Sequence, residues 1–595
     1  MGFLPKGSDP IKRVLYVDLT HKKYWVEDRR DLFEKYIGGT GVAINLLFEE
    51  VPKNSDPLGP ENAIIFAIGP FTATYPTGSK TVAMFKSPLT GNLGESHAGG
   101  RSAVAMRMAG YGAIVIKGKS DIPVWLSIQR DRVYFRDARA IWGMSSSLTV
   151  ARIIRDNEPA SGYRTIMRIG RAGERMVRYA GVITETYRHF GRLGLGAVFG
   201  SKKLKAVVIS GERSIPVYNK QAYRKVYKEI FDAMVKSPLM KKYHDLGTPI
   251  NVLRLDKIKA LPTMNLKKTS FEYAKYLSGE YLAENFLGRR TSCTHCPVAC
   301  IHLAALREPY EDEPYFYKTT FVGYDYEPIY SLGTMLGIKE PEGFLKLHDE
   351  VDRIGLDAMS AGVVLAWATE ALERGIITTK ETDGLELKWG DYETYIDALE
   401  KIVEQPNEFY SALARGVDYA SKVYGGREFA LSFGGNEMPG YHTGPAAHIS
   451  FLIGSRHSHL DAAGYSLDQK TIGKELTPEE IVEKLVTEER WRQILSSLVV
   501  CFFARGVYKP DVVIRAFEAL GVETTEDELK KLGKEIHLLK YKYKFQEGFD
   551  LDNIHIPKRI FETVSPHGLI KEETVVKALK VFKDKITQEL DFSSE

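Results

Sequence analysis

The chain is 595 residues long, with a formal net charge of +4 and 27% charged side chains. Such a length exceeds what one hydrophobic core organises and predicts roughly three or four domains. The balanced charge, with no long basic block, argues against nucleic acid as a partner, and no apolar run is long enough to span a bilayer. Residues 1–12 lack the apolar centre of a signal peptide, so a cytoplasmic protein is expected. Four cysteines are too few for a disulfide framework in so long a chain. Plentiful Lys and Glu beside sparse Cys and Gln lean towards a thermophile.

Residues 1–210 read as a first, strand-rich domain. Residues 14–20 form a strand stopped by His21-Lys22-Lys23, and 24–27 supply its hairpin partner. Gly38, Gly39 and Gly41 open a helix over 42–49. A short buried strand over 63–68 is ended by Gly69-Pro70. From Pro76 to Gly112 the chain is rich in glycine and carries Lys80, Lys86 and Arg101. Glycines let the backbone approach a bulky ligand, and amides with positive charge suit a phosphate-bearing cofactor. The stretch reads equally well as surface turns, and it matches neither the phosphate-loop nor the dinucleotide fingerprint. Strands follow over 113–119, 125–129 and 133–135, then a helix over 150–157. Glycine turns at 168–174 and 191–196 precede a closing strand at 206–209. Residues 211–420 and 421–595 are predicted as two mainly helical domains, with helices over 222–234, 361–374, 392–403, 478–485 and 525–532. No internal repeat is visible, and the stretch from Arg559 onward reads as a solvated end. The fold class is α+β, multidomain.

Cys293, Cys296 and Cys300 lie within one short stretch of the second region, and the fourth cysteine, Cys501, lies far downstream in the third. Four thiolates, three clustered and one remote, suit one [4Fe–4S] cluster. A four-thiolate zinc site fits the same residues, and so do unligated cysteines. If all four cysteines serve a cluster, any second metal must be held by a cofactor's own ligands or by His, Asp or Glu.

Several motifs in order give the chain a family resemblance. They are Pro76-Thr77-Gly78, Lys86-Ser87-Pro88-Leu89-Thr90-Gly91, Ile169-Gly170-Arg171-Ala172-Gly173-Glu174, residues 194–202, the four cysteines, and Asp352-Arg353-Ile354-Gly355-Leu356-Asp357. With them the sequence resembles the tungsten-containing aldehyde:ferredoxin oxidoreductases from about Val14 to Lys558. The resemblance implies a strand-rich base under a bis-tungstopterin cofactor, with two mainly helical domains covering it and holding one [4Fe–4S] cluster. It implies oxidation of an aldehyde to its carboxylate, with electrons passed to ferredoxin or to an iron–sulfur partner subunit. Cys293, Cys296, Cys300 and Cys501 are then the cluster ligands. Lys80 is the basic residue between pterin and cluster. Gly94, Ser96, Gly191, Arg192, Gly194, Gly355, Leu356 and Val500 face the pterins, and Asp352 and Asp357 accept from pterin ring N–H groups.

His97 stands where the family has an asparagine that helps hold a Mg²⁺ between the two pterin phosphates. Glu327 matches the family's glutamate near the metal, a candidate for proton transfer. His459 is preferred as the histidine beside it, with His457 in reserve. The second pterin motif, Ser496-Ser497-Leu498-Val499-Val500-Cys501, lacks the family's leading aspartate. Lys346 and Asp349 replace an iron-binding pair at the family's homodimer interface, so a homodimer and a heterodimer with an iron–sulfur subunit are both open. Two rivals remain on the same residues. One is low-potential reduction, for example of an aromatic acyl thioester, and the other is an electron-transfer subunit without tungsten.

Overall fold

A computed structural model describes residues 2–7, 9–159, 162–184, 187–313 and 315–592. The first region contains two six-stranded sheets. In the first, the order is Lys23–Asp28, Arg13–Asp18, Ala113–Lys117, Ile64–Ala67, Thr81–Lys86, Leu93–Ala98, and only Arg13–Asp18 with Ala113–Lys117 run parallel. In the second, the order is Arg132–Asp137, Val124–Gln129, Leu204–Gly211, Tyr163–Arg168, Val182–Ile183, His189–Phe190, and again only the second and third strands run parallel.

The two sheets therefore repeat one topology: a hairpin, then three strands, then a last strand inserted beside the hairpin. Helices also recur at matching places. Gly39–Glu50 and Ser147–Asn157 follow the hairpins, while Ser102–Ala109 and Leu195–Ser201 precede the last strands. This corrects the reading that the chain holds no internal repeat. The duplication lies in strand pairing, which tolerates almost any apolar sequence of the right period.

Leu15, Val17, Ile64 and Phe66 of the first sheet share an apolar core with Leu126, Ile128, Val207 and Ile209 of the second. The alternate residues Val14, Ile65, Met84 and Val115 face the opposite way. They pack against Ile494, Leu498, Val513 and Ile536 from the far end of the chain. Both faces of the inner strands are thus buried, which is why Arg13–Asp18, Ile64–Ala67 and Ala113–Lys117 read as apolar runs, whereas the edge strand Lys23–Asp28 is exposed along its length. The glycine-rich stretch, read as turns or a cradle, also holds two buried strands and a helix.

The covering part is mainly helical, with one apolar core reaching from Val252 to Ile586. It also contains an antiparallel sheet of Leu287–Thr291, Ile301–Pro309 and Tyr317–Tyr324, not expected from the sequence. The end of the chain is not a solvated tail. Helix Glu572–Phe592 buries Val575, Ala578, Phe582 and Ile586 in that core. Arg559, just upstream, pairs with the fully buried Glu370 at 2.5 Å. Among the described residues no helix is long and apolar enough to cross a membrane.

Candidate functional site

The duplicated base meets the covering part through two matching contacts. Helix Pro341–Ile354 ends at Gly355 in a left-handed turn (φ 83°), and the next residue, Leu356, bridges to Ala180 of the second repeat. Helix Pro478–Leu498 ends at Val499, also left-handed (φ 58°), and Val500 bridges to Gly78 of the first repeat. Asp352, Gly355, Leu356 and Asp357 thus correspond in turn to Ser496, Val499, Val500 and Cys501. The edge strands carrying Gly94, Ser96 and His97, and leading into Gly191, Arg192 and Gly194, pack side by side between these contacts.

Cys293, Cys296 and Cys300 occupy the connection between strands Leu287–Thr291 and Ile301–Pro309. Backbone hydrogen bonds tie this connection to Cys501 through residues 77–80. Thr77 N–H donates to the His295 carbonyl (2.9 Å), Cys501 N–H to the Thr77 carbonyl (3.2 Å), and Lys80 N–H to the Val499 carbonyl (3.1 Å). The four thiols lie within electrostatic reach of one another. Burial pushes the Cys296 and Cys300 thiols well up, so loading a metal must displace their protons.

Two cations attend them. Lys80 is held above its ordinary value because Cys501, Cys293 and Cys300 outweigh the effect of its burial. Arg188, which the sequence reading missed, feels Cys300 and Cys293 and is anchored to Asp325 at 2.6 Å. A Cβ on Gly99 would meet the Cys293 sulfur at 2.6 Å, so only glycine leaves room there. Among the described residues no three such side chains close up tightly enough to hold a single metal ion.

Two residues after Asp325, Glu327 sits in the first turn of helix Tyr326–Leu332. Its Oε2 accepts from Gly440 N–H (3.0 Å) and its Oε1 lies 3.4 Å from His459 Nε2. Both side chains are nearly enclosed, at 16% and 11% exposure. Burial pushes the Glu327 carboxyl up to about 7, against the pull of Gly440 and Arg192. Burial, with Arg192, Arg456 and Arg492 nearby, drives His459 down to about 3 and keeps it neutral. Tyr441 stands 5.5 Å from the His459 ring and stacks on Tyr465 at 4.1 Å.

Arg192 completes the junction. It reaches Asp357 Oδ2 (3.1 Å) and the Glu437 carbonyl (2.8 Å). Arg192 Nη1, Glu327 Oε1 and His459 Nδ1 are all buried without a hydrogen-bond partner in the structure. One orphan comes from each region of the chain, an unsatisfied set that a polar cofactor or substrate can pair.

His457 does not join this group. Its ring is held by the Phe451 carbonyl and Lys544 Nζ, both at 2.9 Å, so it is a buried structural group. Asp352 is paired with His189 at 3.1 Å, and His348 lies 3.8 Å away. Asp357 accepts from Met359 N–H and Ser360 Oγ as a helix cap. His97 sits 2.7 Å from Glu95, which also pairs with Lys540 at 2.5 Å. Burial lowers His97 to about 4, so it is neutral.

The aldehyde ferredoxin oxidoreductase N-terminal domain model matches residues 14–211, and that family's model for domains 2 and 3 matches residues 225–587. The chain belongs to the aldehyde ferredoxin oxidoreductase family. It is 32% identical over 579 residues to the tungsten-containing aldehyde ferredoxin oxidoreductase of Thermococcus kodakarensis, covering 95% of this chain and 93% of that protein. It is also 33% identical over 419 residues to the WOR-like subunit of the aliphatic sulfonate oxidoreductase of Pyrococcus furiosus, covering 66% of this chain and 64% of that one. Among solved structures it shares its fold with the BamBC active-site complex of benzoyl coenzyme A reductase, at TM-score 0.77 and 22% identity, covering 98% of this chain and 99% of that one. In an aldehyde ferredoxin oxidoreductase fold, the paired helix ends, the cysteine connection and the Glu327–His459 pair all lie on the side where the covering part closes over the duplicated base.

Proposed function

We propose that the protein is a tungstopterin-dependent enzyme that oxidises an aldehyde to its carboxylic acid and passes electrons, through one [4Fe–4S] cluster, to a ferredoxin or an iron–sulfur partner subunit. The observation that carries the reading is the enclosed Glu327–His459 pair at 3.4 Å, with Glu327 pushed up to about 7. A carboxyl tuned near neutrality is suited to taking a proton from water and handing it on. Family membership supplies the cofactor class, and the buried unpaired atoms of Arg192, Glu327 and His459 supply polar groups to meet it.

The two repeats and their helix ends suit a pair of pterins, one on each side. Asp352 and Asp357 with Arg192 would hold one pterin. Val500 and the backbone around Lys80 would hold the other, where Ser496 leaves the acidic acceptor absent. His97, neutral and engaged with Glu95, is a poor Mg²⁺ ligand beside oxygen donors, so Glu95 is the better candidate if that ion is present. The four cysteines suit a polynuclear cluster, since their thiols lie within electrostatic reach of one another and four soft donors match its ligand set.

When bound, the dithiolene-held metal supplies oxygen transfer and two-electron redox chemistry. The residues of this chain manage the rest. Neutral His459 Nε2 offers a hydrogen bond to the aldehyde oxygen when it carries the ring proton. Glu327 Oε1 accepts a proton released as water is consumed. Tyr326, Tyr441 and Tyr465 wall the pair and exclude bulk water.

The test is a Glu327→Gln protein with metal content and cluster signal unchanged. Aldehyde turnover is expected to fall by about 100-fold or more, the range for loss of a positioned proton acceptor. Unchanged turnover would sink the reading. Elemental analysis for tungsten and iron, with an aldehyde panel against acyl thioesters, separates it from acyl-thioester reduction and from a subunit holding iron alone.

A further inference from the structure

Thr294 N–H donates to the Gly100 carbonyl at 3.0 Å. The residue that follows Gly100 is Arg101, so the cysteine connection is fastened by its backbone to an exposed arginine. Arg101 lines two adjoining clefts. One, of about 290 Å³, is walled by Arg101, Arg155, Arg164 and Arg289. The other, of about 500 Å³, is bordered by Arg101 and Arg164 and by Ser292 and Thr294, the residues on either side of Cys293. None of the described residues lining either cleft is acidic.

The four guanidinium groups come from four separate segments, and Arg101, Arg155 and Arg289 are exposed. Arg164 donates to the Arg155 and Glu158 carbonyls, at 3.3 and 3.1 Å, and Asp156 stands 3.7 Å from Arg155 Nε, the one carboxylate paired with the four arginines among the described residues. Tyr163, 48% exposed, stands at the second cleft. Gathering like charges costs repulsion, which an anionic partner relieves. Arginine and tyrosine are also the residues that most often anchor protein interfaces.

We propose that this arginine cleft is the docking surface for a small acidic iron–sulfur protein of the ferredoxin class, which takes electrons from the cluster beside Cys293. The proposal rests on the reading of the four cysteines as iron–sulfur ligands. The exchange is one electron per encounter: the reduced cluster loses one, the oxidised carrier gains one, and no bond or proton changes place. Charge complementarity selects an acidic carrier, and the position beside Cys293 brings the two redox centres close.

The experiment mixes the dithionite-reduced holoenzyme with an oxidised acidic two-cluster [4Fe–4S] ferredoxin in a stopped-flow instrument at rising ionic strength. No aldehyde is needed, so the result does not depend on the substrate reading. The native rate constant should fall steeply with salt. The double variant Arg101→Glu with Arg289→Glu should lower it about tenfold or more at low salt and flatten the salt dependence. Arg155→Glu, at an exposed position of helix Ser147–Asn157, should lower it several-fold alone. Electron transfer to a small uncharged quinone should be unchanged in both, and basic cytochrome c should react faster with the double variant than with the native protein. Native-like ferredoxin rates in both variants, or equal losses with the quinone in both, would overturn the docking surface while an intact cluster signal leaves the cysteine reading standing. Native protein without iron and acid-labile sulfide would overturn the cysteine reading, and this proposal with it.

Discussion

Glu327 sits where its surroundings resist a charge. Its pKa rises from the ordinary 4.5 to about 7 through burial. A raised carboxyl contributes its full stability below the unfolded value and loses it as pH climbs through the folded value. Over pH 4.5 to 7 that loss amounts to roughly 3 kcal/mol in the cofactor-free protein. Denaturant unfolding at several pH values should therefore show the Glu327→Gln curve flattened across this window, with the variant more stable than the native chain at pH 8. A native slope that survives the substitution would refute the assignment. Aldehyde turnover in the holoenzyme should rise with pH through about 7 as the proton-accepting form appears. A second residue, Cys501, is tied by its backbone to the cysteine connection through residues 77–80. Cys501→Ser should leave the chain folded, lower iron and labile sulfide, and change the cluster's EPR signal, because an oxygen donor replaces a soft one. Glu327 and the cysteines stood in recognisable motifs. Arg188 and Tyr441 did not, since a lone Arg or Tyr carries no local pattern and gains its role only from what folds against it.

At the scale of elements, the site depends on two helices ending in the same way. A left-handed residue closes each, and the residue after it bridges to the base. At Gly355 the sequence announces such an ending. At Val499 it does not, because a β-branched residue is a rare occupant of that conformation. The second ending is held from outside. Gly38, Gly39 and Gly69 press against the backbone at 496–498, and a Cβ on Gly39 would lie 2.1 Å from the Ser496 carbonyl. Gly39→Ala should thus destabilise the protein by about 2 kcal/mol or more. It should also shift the end of helix Pro478–Leu498, read as reduced cluster occupancy at unchanged overall secondary structure. Full iron loading and native stability would show that the helix end tolerates displacement. In the sequence Gly38 and Gly39 suggested a helix start and Gly69 a strand end; their second task, admitting another backbone, was invisible without the partner.

Across the whole molecule, the last stretch of chain closes the covering core. Arg559 reaches Glu370 and the Asn265 carbonyl, and Glu370 also pairs with Arg374 at 2.8 Å. Removing Arg559 leaves a buried carboxylate with one cation in place of two. Arg559→Ala should cost about 2–3 kcal/mol, somewhat below the full cost of breaking a buried pair because Arg374 remains. Thermal unfolding should show the drop, and Arg559→Ala with Glu370→Gln should recover part of it. A loss of less than 0.5 kcal/mol in the single variant, the ~0.5 kcal/mol scale of an ordinary surface change, would mean that the tail is held by its apolar face alone.

Spacing alone raised the four-cysteine cluster as a candidate, and period and propensity marked the hairpin strands of both sheets and several long helices but not strands Thr81–Lys86, Leu93–Ala98 or Ile301–Pro309, because thiol ligation and hydrophobic periodicity depend on residue type and local separation. The α+β class and the family followed from motifs of the same local kind. The duplication of the base, the pairing of one helix end with each repeat, the burial of the C-terminal helix, the placing of His459 rather than His457 beside Glu327 and the arginine cleft were visible only in three dimensions. Each depends on groups far apart in the chain, and neither side chain of such a pair carries a mark of its partner until the fold brings them within a few ångströms.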